Sequence, residues 1–211
     1  MEKDIMANHV YYNIDIDSTE EGHKAFEDTL VTTTRTQLNW EDKEIQVKEL
    51  APIHDLAFMP KVERDEDGEP IEAYSWYIDN VGAKWCNIED WDSVTISGYS
   101  AWSAPIDFAE HIVKYIGKID PNVTLSMTFE DEFRNFIGVA NMSYCDGEVY
   151  VDIEESDIDE LCEQMREHIG VTEEEQDADD FEMWEEYKDT GLVPGEYIDD
   201  LVYEFFSQNR R

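Results

Sequence analysis

The stretch His9-Val10-Tyr11-Tyr12-Asn13-Ile14-Asp15-Ile16 is rich in β-branched and aromatic residues, and its side chains alternate in part between apolar and polar. This pattern predicts a β-strand, because successive side chains of a strand point to opposite faces of a sheet. Directly after it, Ser18 or Thr19 can cap a helix that we expect to run to about Val31. The chain is therefore predicted to open with a strand followed by a helix.

Further elements follow the same alternation. Residues 32–75 combine a charged patch with turn-forming residues and are predicted to be a long insertion with short local structure. After them we expect a strand over 94–99, a helix over about 105–116, and strands over about 123–129, 136–143 and 148–153. Cys145-Asp146-Gly147 carries the Asp-Gly signal of a tight hairpin between the last two strands. The order predicts an α+β fold with helices on one face of the sheet.

The chain changes character after about residue 153. Residues 152–211 contain 22 acidic and 4 basic side chains, so this last third carries nearly half of the net charge of -38. Helical spacing of apolar residues recurs over 157–169 and again over about 195–206. We therefore expect two parts, an α+β domain over 1–153 and an acidic, mainly helical extension over 154–211.

Three short segments resemble a known family. Met6-Ala7-Asn8-His9-Val10, the Trp-rich segment 76–85 with Asn80-Val81-Gly82-Ala83-Lys84-Trp85, and Ser100-Ala101-Trp102-Ser103-Ala104-Pro105 are similar to segments of small phage and plasmid proteins that carry a YubB-type ferredoxin-like domain. The resemblance covers about residues 6–153. It departs at Val81, where Trp is usual, and at Ala104, where Pro is usual.

The resemblance implies a ferredoxin-like antiparallel sheet, a mobile-element origin, and Met6 as the ordinary start of the chain. It implies no reaction, since no catalytic residues are established for the family. The Trp residues of segment 76–102 are expected to form core and turn structure, with Trp102 packing the start of the second helix.

Composition and spacing argue against most chemistries. The hydrophobic share of 41% and aromatic share of 12% are enough to build a core. The three cysteines lack CxxC spacing, the five histidines lack HxxxH spacing, and no Gly-rich phosphate loop is present. Residues 65–69 depart from the order of a calcium loop. We therefore expect no enzyme activity, no cofactor, no dedicated metal site and no disulfide framework, in a protein of the host-cell cytoplasm.

The charge remains to be explained. The chain has 53 acidic and 15 basic residues, whereas solubility needs a net charge of only about 2 to 8. This sign excludes direct binding to nucleic acid and to anionic membranes. Three explanations stay open: mimicry of nucleic acid, for which the net charge equals that of roughly 19 base pairs; adaptation to high salt; and a structural or scaffolding role.

Mimicry would direct the protein to a basic, nucleic-acid-binding host protein such as a nuclease, a restriction enzyme or a CRISPR component, with a homodimer as one way to lengthen an acidic stripe. The first candidates for partner binding lie in the C-terminal acidic segment, namely Glu173, Glu174, Glu175, Asp177, Asp179, Asp180, Glu182, Glu185 and Glu186. A second set lies just before it, namely Asp157, Asp159, Glu160 and Glu163.

Overall fold

The computed structural model describes residues 8–30, 32–38, 43–157, 160 and 194–210. Its strands and helices in chain order are β1 (His9–Asp17), α1 (Glu20–Glu27), β2 (Thr32–Leu38), β3 (Glu44–Leu50), α2 (Ala73–Val81), β4 (Cys86–Trp91), β5 (Thr95–Ala101), α3 (Ile106–Ile116), β6 (Thr124–Asp131), β7 (Ile137–Cys145), β8 (Glu148–Ser156) and α4 (Pro194–Asn209). A short 3-10 turn, Ile53–Asp55, lies between β3 and α2.

Six strands form one antiparallel sheet in the order β4-β5-β1-β6-β7-β8. β1 lies inside this sheet, between β5 and β6, as its alternating sequence allows. β2 and β3 pair with each other in a separate two-stranded sheet within the predicted insertion. The α+β class predicted from the sequence is confirmed.

The predicted ferredoxin-like topology is not confirmed for the sheet as a whole. A ferredoxin-like sheet is built from a β-α-β-β-α-β unit and has four strands, whereas this sheet has six, in an order that is not the four-stranded one. The difference arises at β7 and β8, which form a hairpin that continues the sheet beyond β6. Asp146 and Gly147 both have positive φ in that hairpin, as a type I′ turn requires.

The main core lies between one sheet face and helices α1 and α3. Val10, Ile14 and Ile16 of β1 contribute alternate side chains to it, and Phe108 and Ile112 of α3 pack against them. Phe26 and Leu30, at the end of α1 and just beyond it, are buried as well. The period-two pattern of β1 and the helical period of α3 therefore meet in one hydrophobic layer.

A helix of the C-terminal extension covers the other face of the sheet. Val202 of α4 packs against Ile137 of β7 in a separate small cluster. Ile137 has the opposite parity to Ala140 and Met142, which face the main core, so α4 lies on the other side of the sheet. Apolar spacing could predict this helix but not the face it covers, because only tertiary contacts distinguish the two sides of β7.

Candidate functional site

The last strand of the sheet presents a row of carboxylates. β8 has the sequence EVYVDIEES and pairs only with β7 among the described strands. Exposed acidic residues lie along this strand, in its hairpin and just after it, and we call them together the acidic edge. They are Asp146, Glu148, Asp152, Glu154, Glu155, Asp157 and Glu160. The strand itself contains no lysine or arginine to neutralise them.

Side-chain directions divide the acidic edge between two faces. Asp152 pairs with Asn141 and Glu154 with Val139, on the sheet face that carries α4, whereas Glu155 pairs with Gly138 and points to the other face. Charged side chains at a sheet edge also prevent pairing with another chain. The edge therefore combines a solubility role with a concentrated negative field.

Two residues of the second candidate set lie together at the end of this edge. The backbone N–H of Glu160 donates to Asp157 Oδ1 at 2.8 Å, and Ser156 Oγ donates to Glu160 Oε2 at 3.0 Å. This is the pattern of a helix N-cap, in which a side-chain oxygen accepts a bond from the N–H three residues on. Asp157 and Glu160 thus combine a local structural role with exposure.

The other predicted partner-binding residues lie outside the described residues, so their positions stay a prediction. They are Asp159, Glu163, Glu173, Glu174, Glu175, Asp177, Asp179, Asp180, Glu182, Glu185 and Glu186. The acids of β8 preceding Asp157, by contrast, were not among the candidates. Their signal in the sequence was the Glu-Val-Tyr-Val-Asp pattern after a hairpin, which indicates an edge strand once the sheet order is known.

The buried titratable groups act structurally. Cys86 Sγ donates to Tyr12 Oη at 3.3 Å, and Tyr12 Oη donates to the carbonyl oxygen of Asn87 at 2.9 Å. Burial raises the pKa of the Cys86 thiol to about 12 and also raises the pKa of Tyr12 well above its usual value. A thiol with such a pKa is a poor nucleophile near neutral pH.

His54 lies in an aromatic environment next to α2. Its Nδ1 is 3.5 Å from Tyr77 Oη, and its ring meets those of Trp76 and Tyr77 edge to face. Burial lowers the pKa of His54, and Arg64 lowers it further against the opposing effect of Asp55. Burial also raises the pKa of Tyr77 to about 12, so both side chains are neutral near pH 7.

The tryptophans of segment 76–102 have different surroundings. Trp76 packs against the main core, as expected. Trp102 has φ 75° and is 53% exposed, so the prediction that it packs the start of α3 is wrong. Lys84 Nζ lies 5.6 Å from the centroid of the Tyr74 ring and 5.9 Å from that of Trp102, within reach of cation–π attraction to both rings.

The loop between Arg64 and Pro70 is closed by one carboxylate. Asp65 Oδ1 accepts from the backbone N–H groups of Asp67 and Glu69 at 3.0 and 2.9 Å. Among the described residues, no group of three or more His, Cys, Asp or Glu side chains is placed to hold a metal ion. None of the helices in the described ranges is long and apolar enough to cross a membrane.

Comparison with known proteins gave no similarity that bears on this site: no protein-family model, no curated protein and no solved structure matches the chain. The function is therefore inferred from the residues themselves.

Proposed function

We propose that this protein is a phage-encoded acidic inhibitor that mimics nucleic acid and blocks the basic, nucleic-acid-binding surface of a host defence protein, such as a nuclease, a restriction enzyme or a CRISPR component. It would act in the host cytoplasm by binding, without catalysis or a cofactor. The observation that carries this proposal is the acidic edge, where exposed carboxylates follow a strand without lysine or arginine.

The spacing along β8 supports mimicry. An antiparallel strand rises about 3.4 Å per residue, and one strand of B-DNA carries one phosphate per about 3.4 Å of helix axis. Asp152 and Glu154 point to the same face of the sheet, and their separation along the strand therefore matches two phosphate steps in axial distance. A rigid sheet holds these charges in place before binding, which reduces the entropy lost on association.

The total charge supports the same kind of partner. With a net charge of -38, long-range attraction would speed the encounter with a basic groove, and salt would weaken the complex. The acidic residues predicted for partner binding within 173–186 would add further negative charge. A direct complex with nucleic acid is disfavoured, because phosphates and carboxylates repel each other.

A second distribution of acids favours the alternative, an acidic structural or salt-adapted protein of a mobile element. Glu20, Glu21 and Glu27 are exposed on α1, and Glu63, Glu66 and Glu69 are exposed in the loop before α2. Salt adaptation predicts acidic residues spread over several surfaces. Mimicry instead requires that one surface contribute more to partner binding than the others.

We also propose a ferredoxin-like origin for part of the sheet. The chain order β1-α1-β4-β5-α3-β6 is a β-α-β-β-α-β sequence if β2, β3 and α2 are treated as inserted. Its four strands are neighbours in the order β4-β5-β1-β6. On this proposal β7 and β8 are an addition that carries the acidic edge.

The proposal is tested by capture from host lysate at rising NaCl, followed by elution with duplex DNA or RNA. The expected result is recovery of a nucleic-acid-binding enzyme that duplex displaces and whose activity the pure protein inhibits. Recovery of virion or scaffold proteins alone would overturn it.

Matched charge variants then localise the effect. The first triple variant removes three charges from β8 and combines Glu148→Gln, Glu154→Gln and Glu155→Gln. The second removes three charges from the loop before α2 and combines Glu63→Gln, Glu66→Gln and Glu69→Gln. If the acidic edge mimics nucleic acid, the loss of affinity for the captured enzyme should be roughly tenfold larger for the first triple variant than for the second. Equal losses would mean that only the total charge matters.

A further inference from the structure

The sheet face opposite α1 and α3 is covered on one side only. α4 lies over β7, where Val202 meets Ile137, and Asn141 Nδ2 donates to the carbonyl oxygen of Asn209 at 2.7 Å. Towards β1, β5 and β4 the described residues leave side chains of this face open to solvent, with Tyr11 46% exposed.

Four rings gather on this open side. The His9 ring centroid is 5.5 Å from that of Trp85, 5.3 Å from that of Tyr99 and 6.5 Å from that of Tyr11, and Trp85 meets Tyr99 edge to face at 5.7 Å. Tyr11 lies directly opposite Tyr99 on β5 and opposite Glu130 on β6. We call His9, Tyr11, Trp85 and Tyr99 the aromatic face.

The strands around the aromatic face supply negative charge, and the basic side chains near it, Lys84, Arg134 and Arg210, come from outside these strands. β1, β4, β5 and β6 contain no lysine or arginine. Asp90 of β4 and Glu132 are exposed, and Glu132 Oε2 lies 3.7 Å from His9 Nδ1. Aromatic rings next to carboxylates are suited to a cationic ligand group, because the ring face and the carboxylate both attract positive charge.

The same sheet face already binds guanidinium groups of this chain. Arg210 Nη2 lies 2.9 Å from Asp15 Oδ2 and donates to Thr128 Oγ1 at 3.4 Å. Arg134 Nε lies 3.5 Å from Glu130 Oε2. Each guanidinium approaches its carboxylate through one nitrogen, so this face attracts guanidinium groups. Beside these contacts Tyr11 is exposed, and His9, Trp85 and Tyr99 are half-buried.

We infer that the aromatic face is a docking surface for arginine side chains of a basic protein partner, with the guanidinium stacked on Tyr11 and Tyr99 and paired with neighbouring carboxylates. This inference rests on the proposed function and names the anchor of that partner. Arginine is favoured over lysine, since its guanidinium stacks on aromatic rings and is less strongly hydrated. Tyr, Trp and Arg are the residues that most often dominate the binding energy of protein interfaces. Here Tyr and Trp would come from this protein and Arg from its partner.

Two homopeptides of equal length and charge, one of arginine and one of lysine, test the inference on the full chain by calorimetric titration. The arginine peptide is expected to bind roughly three- to tenfold more tightly. This preference should persist as NaCl is raised, because stacking is screened less than attraction between exposed charges. Equal affinities, or tighter binding of a single-stranded oligonucleotide than of either peptide, would overturn the inference.

Variants assign the preference to the rings. The double variant Tyr11→Leu with Tyr99→Leu should abolish the preference for the arginine peptide, while both peptides still bind. The double variant Tyr11→Phe with Tyr99→Phe should retain that preference. Tyr11→Leu alone, at an exposed position, should reduce it without affecting the fold. The control is Tyr203→Leu, at an exposed site on α4, which should keep the full preference for the arginine peptide. If this control lost the preference, the rings of the aromatic face would not be its source.

The outcome separates the two proposals. If both peptides bind with equal affinity and the Gln variant of β8 weakens both, mimicry by charge stands and the aromatic face is not the anchor. If the arginine preference is present but no nucleic-acid-binding enzyme is captured and inhibited, the aromatic face stands and nucleic-acid mimicry falls.

Discussion

Asp120 connects the start of α1 to the end of α3 through a single carboxylate. Its Oδ2 accepts bonds from the backbone N–H of Thr19 and from Ser18 Oγ, both at 2.7 Å, and its Oδ1 accepts from the N–H of Asn122 at 3.0 Å. These bonds, first that from Thr19 and then those from Ser18 and Asn122, lower the pKa of Asp120 to about 2. Three donors favour the charged form.

Asp120→Asn is expected to lower the melting temperature at pH 7, because an amide accepts these bonds less well than a carboxylate. Since the folded-state pKa lies below the unfolded value, the stabilisation is fully present above about pH 4 and is lost as the pH falls towards 2. The difference in melting temperature between wild type and Asp120→Asn should therefore shrink as the pH is lowered from 7 to 2. Asp79→Asn, at an exposed position, is the control and should melt like wild type; a gap that stays constant with pH would contradict this role of the Asp120 carboxylate.

Among the elements, α4 is the one whose attachment can be tested most directly. Its neighbouring residues Val202 and Tyr203 have opposite environments, since Val202 is 5% exposed against Ile137 and Tyr203 is 73% exposed. Besides this cluster, the helix is held by the bonds near its end, at Asn209 and Arg210, and by an ion pair between Asp199 and Arg134. Its docking therefore depends on one small apolar cluster together with these polar contacts.

Val202→Asp should detach α4, because a carboxylate placed against Ile137 has no partner there and burying it is costly. Limited proteolysis should then cleave near residues 194–209 several times faster than in wild type. Tyr203→Asp, which adds the same charge one residue along, should leave the rate unchanged. Equal acceleration by both variants would mean that charge on the helix matters and contact with β7 does not.

At the scale of the whole molecule, repulsion among the acidic side chains opposes folding. A net charge of -38 on a folded chain destabilises the compact state, and the effect falls as salt screens it. Screening is nearly complete once the Debye length has shortened from about 10 Å at 0.1 M to about 3 Å at 1 M.

Melting temperature should therefore rise as NaCl is raised from low concentration and reach a plateau near about 1 M. Sucrose at matched osmolality serves as the uncharged control and should not reproduce the steep rise at low salt. A further steep rise well above this concentration would favour salt adaptation instead of mimicry. A fall of the melting temperature with salt would contradict a role for self-repulsion.

Several local features could be predicted from residues alone, and the misses share one cause. The Asp146-Gly147 hairpin, the strand at β1 and the helix at α3 follow from turn chemistry and apolar spacing. Helix α2 and strand β4 were missed, because a Trp- and Tyr-rich segment fits core, strand and helix almost equally well. Trp102 was misplaced because its positive φ depends on its surroundings and not on its residue type.

The sequence by itself determined the α+β class, the sign and size of the charge, and most elements, since these depend on composition and on spacing within short segments. Only the tertiary structure decided that β8 ends the sheet, that α4 covers the second face, and that His9, Tyr11, Trp85 and Tyr99 lie together. The physical reason is strand order. Which rings meet across β1, β4 and β5 is set by contacts between segments about 75 to 90 residues apart. The edge position of β8 follows from the pairing of β1 with the distant strand β6, which places the β7–β8 hairpin at that end of the sheet. No local pattern encodes these long-range pairings.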